Sequence, residues 1–140
     1  MGLIRASRDF RICLFCVSVV GAQSTVGAGE RVEVARNVAL GKTATFDSVP
    51  NLPSCSDPGD ARQLTDGRHE EGCRPAKGAV GWRRSRVPIQ ITFDLEQPEP
   101  ICGVSFRTSG GESGRYWPNA IHVLVSDDGK TFHLAGDLLD

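Results

Sequence analysis

Three consecutive side chains late in the chain, Arg115, Tyr116 and Trp117, combine a fixed cation with two aromatic rings. Proteins hold sugars by stacking aromatic faces on the C–H surface of the sugar ring and by placing fixed donors against its hydroxyls. The cluster stands at the end of a glycine-rich loop, 109–115, of which Arg115 is the last residue. A cation and two aromatic rings at a loop end are what a glycan site requires. The alternative for Trp117 is packing against the end of the domain, and this alternative is favoured for Trp117 alone.

Asp66 is the best candidate for a metal ligand. It stands in the turn Thr65-Asp66-Gly67-Arg68, where a glycine lets the neighbouring carbonyls point inward. A carboxylate and carbonyls in this arrangement suit a hard cation such as calcium. The alternative is a turn closed by a hydrogen bond from the backbone to the aspartate side chain.

His69 is a further candidate for ligand binding, since it lies beside Glu70 and Glu71 in a polar stretch. The alternative is a solvated loop surface. The chain has no Gly-x-Ser-x-Gly elbow, no His-Glu-x-x-His pair and no glycine loop that would hold phosphate. We therefore expect a protein that is not an enzyme.

The five cysteines divide by position. Cys13 and Cys16 lie in an apolar run near the N-terminus, and Cys102 alternates with apolar residues, so we expect Cys102 to be a small buried hydrophobe. Cys55 and Cys73 fall in loops and could form a disulfide in an oxidising compartment, although either could instead bond a cysteine beyond the end of this chain.

The stretch 54–78 is long for a loop without regular structure, since such loops rarely exceed about 12–15 residues. We expect a Cys55–Cys73 disulfide, a calcium ion at Asp66, or both, to hold it in place.

The elements that must position these side chains are strands. Apolar residues alternate with polar ones at 119–126, 89–95 and 101–108, and the tetrad 127–130 (Asp-Asp-Gly-Lys) is typical of the turn of a β-hairpin. We expect the second hairpin strand at 131–134 and an edge strand at 37–46. Abundant glycine and proline and the lack of helical periodicity predict an all-β domain, an antiparallel sandwich with its functional residues in loops.

The N-terminus has the outline of a signal peptide. Three arginines precede the apolar run 12–20, which is followed by small residues that offer cleavage before Gln23 or before Gly29. The run is shorter than the ~20 residues that span a bilayer. We therefore expect a signal peptide at 1–22, a flexible leader at 23–36, one domain at 37–140 and a secreted or extracellular protein.

Charge bears on the class of partner. Removing residues 1–22 takes away three Arg and one Asp, so the formal net charge falls from -1 to -3. Nucleic acid is therefore not an expected partner.

The sequence resembles the discoidin family, also called the coagulation factor 5/8 type C family, of galactose-binding-like domains. The resemblance covers most of 37–138 and depends on the following motifs: N-V-A-L-G-K-T-A-T at 37–45, L-T-D-G at 64–67, Trp82, I-T-F-D-L at 91–95 with I-C-G-V-S-F at 101–106, and V-S-D-D-G-K-T-F at 125–132. It implies a jelly-roll β-sandwich that binds ligands without catalysis. Members continue beyond the position of Asp140, so the resemblance also implies an incomplete domain that lacks its last strand or strands.

The resemblance implies further roles for some residues. In many members the Asp-Gly turn holds a structural calcium, which here would use the Asp66 side chain and the carbonyls of Gln63 and Arg68. Arg115 falls close to an arginine that contacts sugar in fucose-binding members, although its partner arginine is not evident in this sequence.

The expected function is a secreted, non-catalytic module that recognises a glycan or another cell-surface ligand. One alternative is an adhesion module that meets protein or lipid head groups at a membrane surface, with Trp82 or Trp117 exposed at a loop tip. Another is an accessory domain of a larger secreted hydrolase.

Overall fold

The computed structural model describes residues 2–6, 12–25, 32–68, 77–83, 88–108 and 118–140. These ranges contain nine strands and one short helix. The strands are β1 (Gly2–Ala6), β2 (Ile12–Thr25), β3 (Val32–Asn37), β4 (Ala44–Phe46), β5 (Val80–Trp82), β6 (Ile89–Phe93), β7 (Ile101–Thr108), β8 (Ile121–Val125) and β9 (His133–Asp137), and the helix α1 is Asp60–Gln63. The expected all-β class is confirmed.

The strands form two antiparallel sheets. The first has five strands in the order β4-β6-β1-β8-β9. In the second, β2 pairs with β3, β5 and β7 along different parts of its length. Among the described strands, β2 and β3, and β8 and β9, are consecutive in sequence and also paired. The other pairs join strands that are distant in sequence, so much of the fold depends on long-range pairing.

Residues from both sheets pack into one hydrophobic core. Ile91 and Phe93 of β6 and Ile121 of β8 belong to the same buried cluster as Val80 and Trp82 of β5. The alternation of apolar and polar residues explains this, because every second side chain of a strand faces the same side of its sheet. Burial of β6 follows the predicted period, with Ile89, Ile91 and Phe93 buried and the two residues between them half-buried.

Trp82 belongs to this core and is 1% exposed. Its ring meets Phe46 edge-on with centroids 5.5 Å apart, and its indole Nε1–H donates to the Ser48 carbonyl at 2.7 Å. The alternative in which Trp82 is exposed at a loop tip is therefore wrong, because the indole is buried and its donor is satisfied within the protein.

The remaining local predictions have mixed outcomes. The strands β6, β7 and β8 occur where the pattern predicted them. The hairpin turn also forms, with Gly129 at φ 69°. The second hairpin strand begins only at His133, because the side chain of Asp128 accepts the backbone N–H of Thr131 at 2.8 Å and keeps that residue in the turn.

The predicted edge strand at 37–46 is wrong over most of its length. Residues 38–41 form a turn instead, and the strand starts at Ala44. Asn37 Oδ1 accepts the N–H of Ala39 at 3.1 Å, and Gly41 has φ 74°, a left-handed conformation that glycine adopts without strain. The turn carries Val38 and Ala39 into the core.

The expected burial of Cys102 is also wrong, since this residue is exposed. The pairing of β7 with β2 explains the error. Gly103 is in register with Val20 and Ile101 with Gly21, so Cys102 is the extra residue of a β-bulge. A bulge breaks the strict alternation of faces, which separates Cys102 from Val104 and Phe106.

The N-terminal region contributes strands to both sheets. Residues 2–6, 12–25 and 32–37 form strands in the region where the sequence predicts a signal peptide and a flexible leader. Cleavage is a matter of processing, so the boundaries 1–22, 23–36 and 37–140 stay predictions. Within the described ranges, no helix has the length and apolar character needed to cross a membrane.

Candidate functional site

The turn that holds Asp66 has a well-defined structure. Gly67 has φ 75°, and Asp66 Oδ1 accepts the backbone N–H of Arg68 at 2.8 Å. The sequence offered a turn closed by a hydrogen bond from the backbone to the aspartate side chain as the alternative to a metal site, and this hydrogen bond is present. The Asp66 carboxylate is exposed to solvent.

The residues on the N-terminal side of this turn attach it to the core. Leu64 and Thr65 are completely buried. The Thr65 hydroxyl donates to the carbonyls of Lys42 and Arg62, and the Thr65 carbonyl accepts the N–H of Gly41 at 2.7 Å. The turn is thereby attached to residues 38–42, so packing and hydrogen bonds help to fix the position of Asp66.

The Gln63 side chain forms a hydrogen bond with the adjacent loop. Its Nε2 donates to Asp57 Oδ1 at 2.8 Å, and the same carboxylate oxygen accepts the Gly59 N–H at 2.6 Å. Asp60 is buried, its Oδ1 accepts the Asp57 N–H at 3.1 Å, and burial raises its pKa above the usual range for an aspartate. These contacts organise the start of α1, and the sequence did not predict them.

The fit of calcium at the Asp66 turn can be judged from these donors. Calcium takes six to eight oxygen ligands. In the described part of the chain no group of three or more His, Cys, Asp or Glu side chains lies close enough together to hold a metal. Besides the Asp66 carboxylate, backbone carbonyls such as those of Gln63 and Arg68, together with water, would supply the ligands. Calcium remains a prediction.

The register of the strands defines two ends of the domain. β6 and β8 both begin at one end, where Ile89 and Ile121 are in register with Ala6 of β1, and both finish at the other, beside Gly2. We call these the Ile89 end and, after the last residue of β6, the Phe93 end. The Asp66 turn contacts residues that lead into β4, which begins opposite Phe93, so it belongs to the Phe93 end.

The residues of the predicted glycan cluster, Arg115, Tyr116 and Trp117, lie outside the described residues, as do His69 and Cys73. Their assignments therefore stay predictions, and so does the disulfide to Cys55, which is buried.

The residues that flank the predicted glycan cluster are described. Leu14 of β2 is in register with Thr108, the last residue of β7, and with Val80, the first residue of β5. The end of β7 and the start of β5 therefore lie at the same level of the sheet. Trp82 at the end of β5 contacts Ser48, which follows β4 at the Ile89 end. Thr108 and Pro118, which flank the stretch 109–117, therefore both lie toward the Ile89 end, where β8 begins.

The Ile89 end also carries an ordered loop from residue 47 onward. Asp47 Oδ1 accepts the Gln90 N–H at 2.8 Å, and Asn51 Oδ1 accepts the Arg83 N–H at 2.7 Å. Between these two anchors Val49 is 79% exposed. An exposed apolar side chain on a fixed loop is the kind of group that contacts a ligand or another surface.

A cavity of about 440 Å³ opens between β7 and the β8–β9 pair near the Phe93 end. Val104, Val123 and Val125 form part of its wall, and the carboxylates of Glu99 and Asp137 lie at its edge. Glu99 pairs with Arg36 at 3.0 Å, and a hydrogen bond from Gln97 lowers the pKa of its carboxyl. The ion pair with Arg36 and the hydrogen bond from Gln97 satisfy the Glu99 carboxylate within the protein.

Comparison with known proteins assigns no family to the chain, since no family model, characterised protein or solved structure matches it.

Proposed function

We propose that this protein is a secreted, non-catalytic module that recognises carbohydrate through loops at one end of a jelly-roll β-sandwich. The observation that carries the proposal is the placement of strand ends. Thr108 and Pro118, which flank the stretch containing Arg115, Tyr116 and Trp117, both belong to the Ile89 end. A glycan site needs its aromatic ring and cation on a supported surface, and Pro118 is buried.

The hydrogen bonds at this end further support the proposal. Trp82, Asp47 and Asn51 tie the neighbouring loop to β5 and β6 through side-chain hydrogen bonds. Binding sites that are ordered before the ligand arrives lose less conformational entropy on binding. In this proposal calcium has a structural role at the Phe93 end, away from the sugar.

A glycan array on the intact protein tests the proposal. We expect binding to a defined set of glycans, a loss of about tenfold or more for Tyr116→Ala and Arg115→Ala, and partial retention for Tyr116→Phe, which keeps the stacking ring. His69→Ala should weaken binding less. Lys130→Ala is the matched control, because it removes an exposed cation at the Phe93 end. Absence of binding, or equal binding by all variants, would refute the glycan function.

The exposure of Val49 favours a second candidate, an adhesion module that meets lipid head groups or protein. Co-sedimentation with vesicles of neutral or anionic phospholipid distinguishes it from a glycan module. Membrane attachment would be reduced by Val49→Ser and unaffected by Leu134→Ser, which changes an exposed apolar residue of β9. Sedimentation that does not respond to Val49→Ser would exclude this loop as the contact.

A further inference from the structure

The N-terminal strand β1 occupies an interior position in the first sheet. It is the third of five strands and pairs antiparallel with β6 on one side and β8 on the other. All five of its residues are in register with both neighbours. Residues 2–6 therefore fill a groove whose two walls are the backbone edges of β6 and β8.

The walls of this groove have an alternating chemistry. Ile4 is in register with Ile91 and Val123, both of which are buried in the core. The next position, Arg5, is in register with Gln90 and His122, of which His122 is exposed. An extended segment fits this groove when its apolar residues stand at the positions of Gly2, Ile4 and Ala6.

The second sheet depends on the same N-terminal region. Among the described strands, β5 and β7 pair with β2 and with no other strand. Leu14 to Gly21 of β2 runs along β7, and Ile12 to Leu14 runs along β5. Residues 2–25 thus supply the interior strand of one sheet and the shared strand of the other.

This role conflicts with the predicted processing. Cleavage after Ala22 would remove β1 and most of β2. β6 and β8 would then present unpaired N–H and C=O groups along a buried groove, and such groups form hydrogen bonds in nearly all native structures. A chain that has lost its leader therefore either loses the two sheets or completes them with another strand.

We propose that the groove between β6 and β8 is a strand-binding site whose ligand is an extended polypeptide segment. Residues 2–6 occupy the site in the intact chain, and a segment of another polypeptide takes their place once the leader has been removed. The ligand runs antiparallel to both walls, its main chain pairs with both strands, and its alternate apolar residues meet Ile91 and Val123. Main-chain pairing provides affinity and the alternating pockets provide selectivity.

An exchange experiment on the intact chain tests the site. A specific protease sequence is inserted at 26–31, and the folded chain is cut there. We expect the N-terminal fragment to co-elute with the remainder in gel filtration and to be displaced by an excess of fluorescent synthetic peptide of residues 1–25.

The variants are placed in the synthetic peptide, so the folding of the protein is not affected by them. Ile4→Asp puts a charge opposite buried Ile91 and Val123 and should reduce capture by about tenfold or more. Arg5→Gln changes a position that faces exposed His122 and should be captured like the native peptide.

Three outcomes would overturn the proposal. The first is release of the fragment while the remainder keeps its melting temperature. The second is a fragment that never exchanges. The third is equal capture of the native and the Ile4→Asp peptides. If the remainder unfolds when the fragment leaves, refolding by the native peptide and not by Ile4→Asp supports the site, and failure of the native peptide to restore folding refutes it.

Discussion

The β8–β9 hairpin and the N-terminal strands β1 and β2 are both parts of antiparallel sheets, but they are specified in different ways. The contacts of the hairpin are local. Within its turn the Ser126 hydroxyl donates to Asp128, and the backbone N–H groups of Gly129 and Thr131 donate to the Ser126 and Asp128 side chains, respectively. Its two strands follow each other in sequence. Among the described strands, β1 pairs with β6 and β8, both of which come after residue 88. A hairpin can thus form from local contacts, whereas β1 acquires its conformation only when distant partners are present.

The difference shows where the fold is vulnerable. Non-local pairing requires the loop-closure entropy to be overcome before the contacts form. A change in the N-terminal strands should therefore affect the whole molecule, and a similar change in the hairpin should have a local effect.

The largest effect is expected from proline in β2. Val20 is in register with Asn37 of β3 and Gly103 of β7, so Val20→Pro places proline in a strand that has partners on both sides. We expect loss of the cooperative unfolding transition in circular dichroism.

Ala135→Pro is the control for this substitution. Ala135 lies in the edge strand β9. Val123 pairs with Gly136 and Leu124 pairs with Leu134, so Ala135 has no partner in the register and forms a bulge. Proline is tolerated at edges and bulges, so this variant should keep a cooperative transition. Equal damage from both variants would contradict the distinction between the two regions.

A smaller effect is expected where the hairpin meets β1. Ile121 is 2% exposed and is in register with Ala6. Ile121→Ala should lower the free energy of unfolding by about 2–5 kcal/mol, because it leaves a cavity in the core. Leu134→Ala, at a 67% exposed position in the same hairpin, should change it by less than about 0.5 kcal/mol. Urea unfolding measures both, and similar values for the two variants would contradict the observed burial.

The smallest effect concerns the turn of the hairpin and depends on pH. Backbone hydrogen bonds from Thr131 and Lys130 lower the pKa of Asp128 from 3.8 to about 2. The charged carboxylate therefore stabilises the folded protein above the unfolded pKa, and this contribution is lost as the pH falls from 3.8 to about 2. Asp128→Asn should melt at a lower temperature than the native protein at pH 6, and the gap should close as the pH approaches the folded pKa.

Asp127→Asn removes the same charge one residue earlier and is the matched control for this titration. A gap that stays constant with pH, or an NMR titration of Asp128 with an ordinary aspartate pKa, would show that the turn does not hold the carboxylate in its charged form.

The parts of the fold that could be predicted from sequence are those with local causes. β6 and β8 follow the two-residue period, and the turns at Gly67 and Gly129 have the left-handed conformation that their glycines predict. Cys102 could not be predicted, because the bulge that displaces it depends on the register with β2.

The N-terminal strands were not predicted for a related reason. An apolar run preceded by arginines is typical of a signal peptide, and the same composition also occurs in strands. The pairing of β2 with β7 is non-local, so a local pattern does not reveal it. Edge strand 37–46 failed differently, since Gly41 and Asn37 favour a turn that the apolar pattern did not reveal.

The candidate site was predicted in part. Asp66 occurs in the expected turn, but its hydrogen bond to Arg68 was only one of two alternatives in the sequence. The contacts among Asp57, Asp60 and Gln63 depend on how the loop folds over α1, and residue spacing alone does not encode this.

Hydrogen exchange of the intact protein, followed by mass spectrometry of its peptides, tests the central claim that residues 2–25 complete both sheets. The account predicts that amides of residues 14–21, which run along β7, exchange as slowly as those of β6. Complete exchange of residues 14–21 within seconds, while β6 stays protected, would show that the N-terminal segment is not part of the folded sheets and would contradict the account.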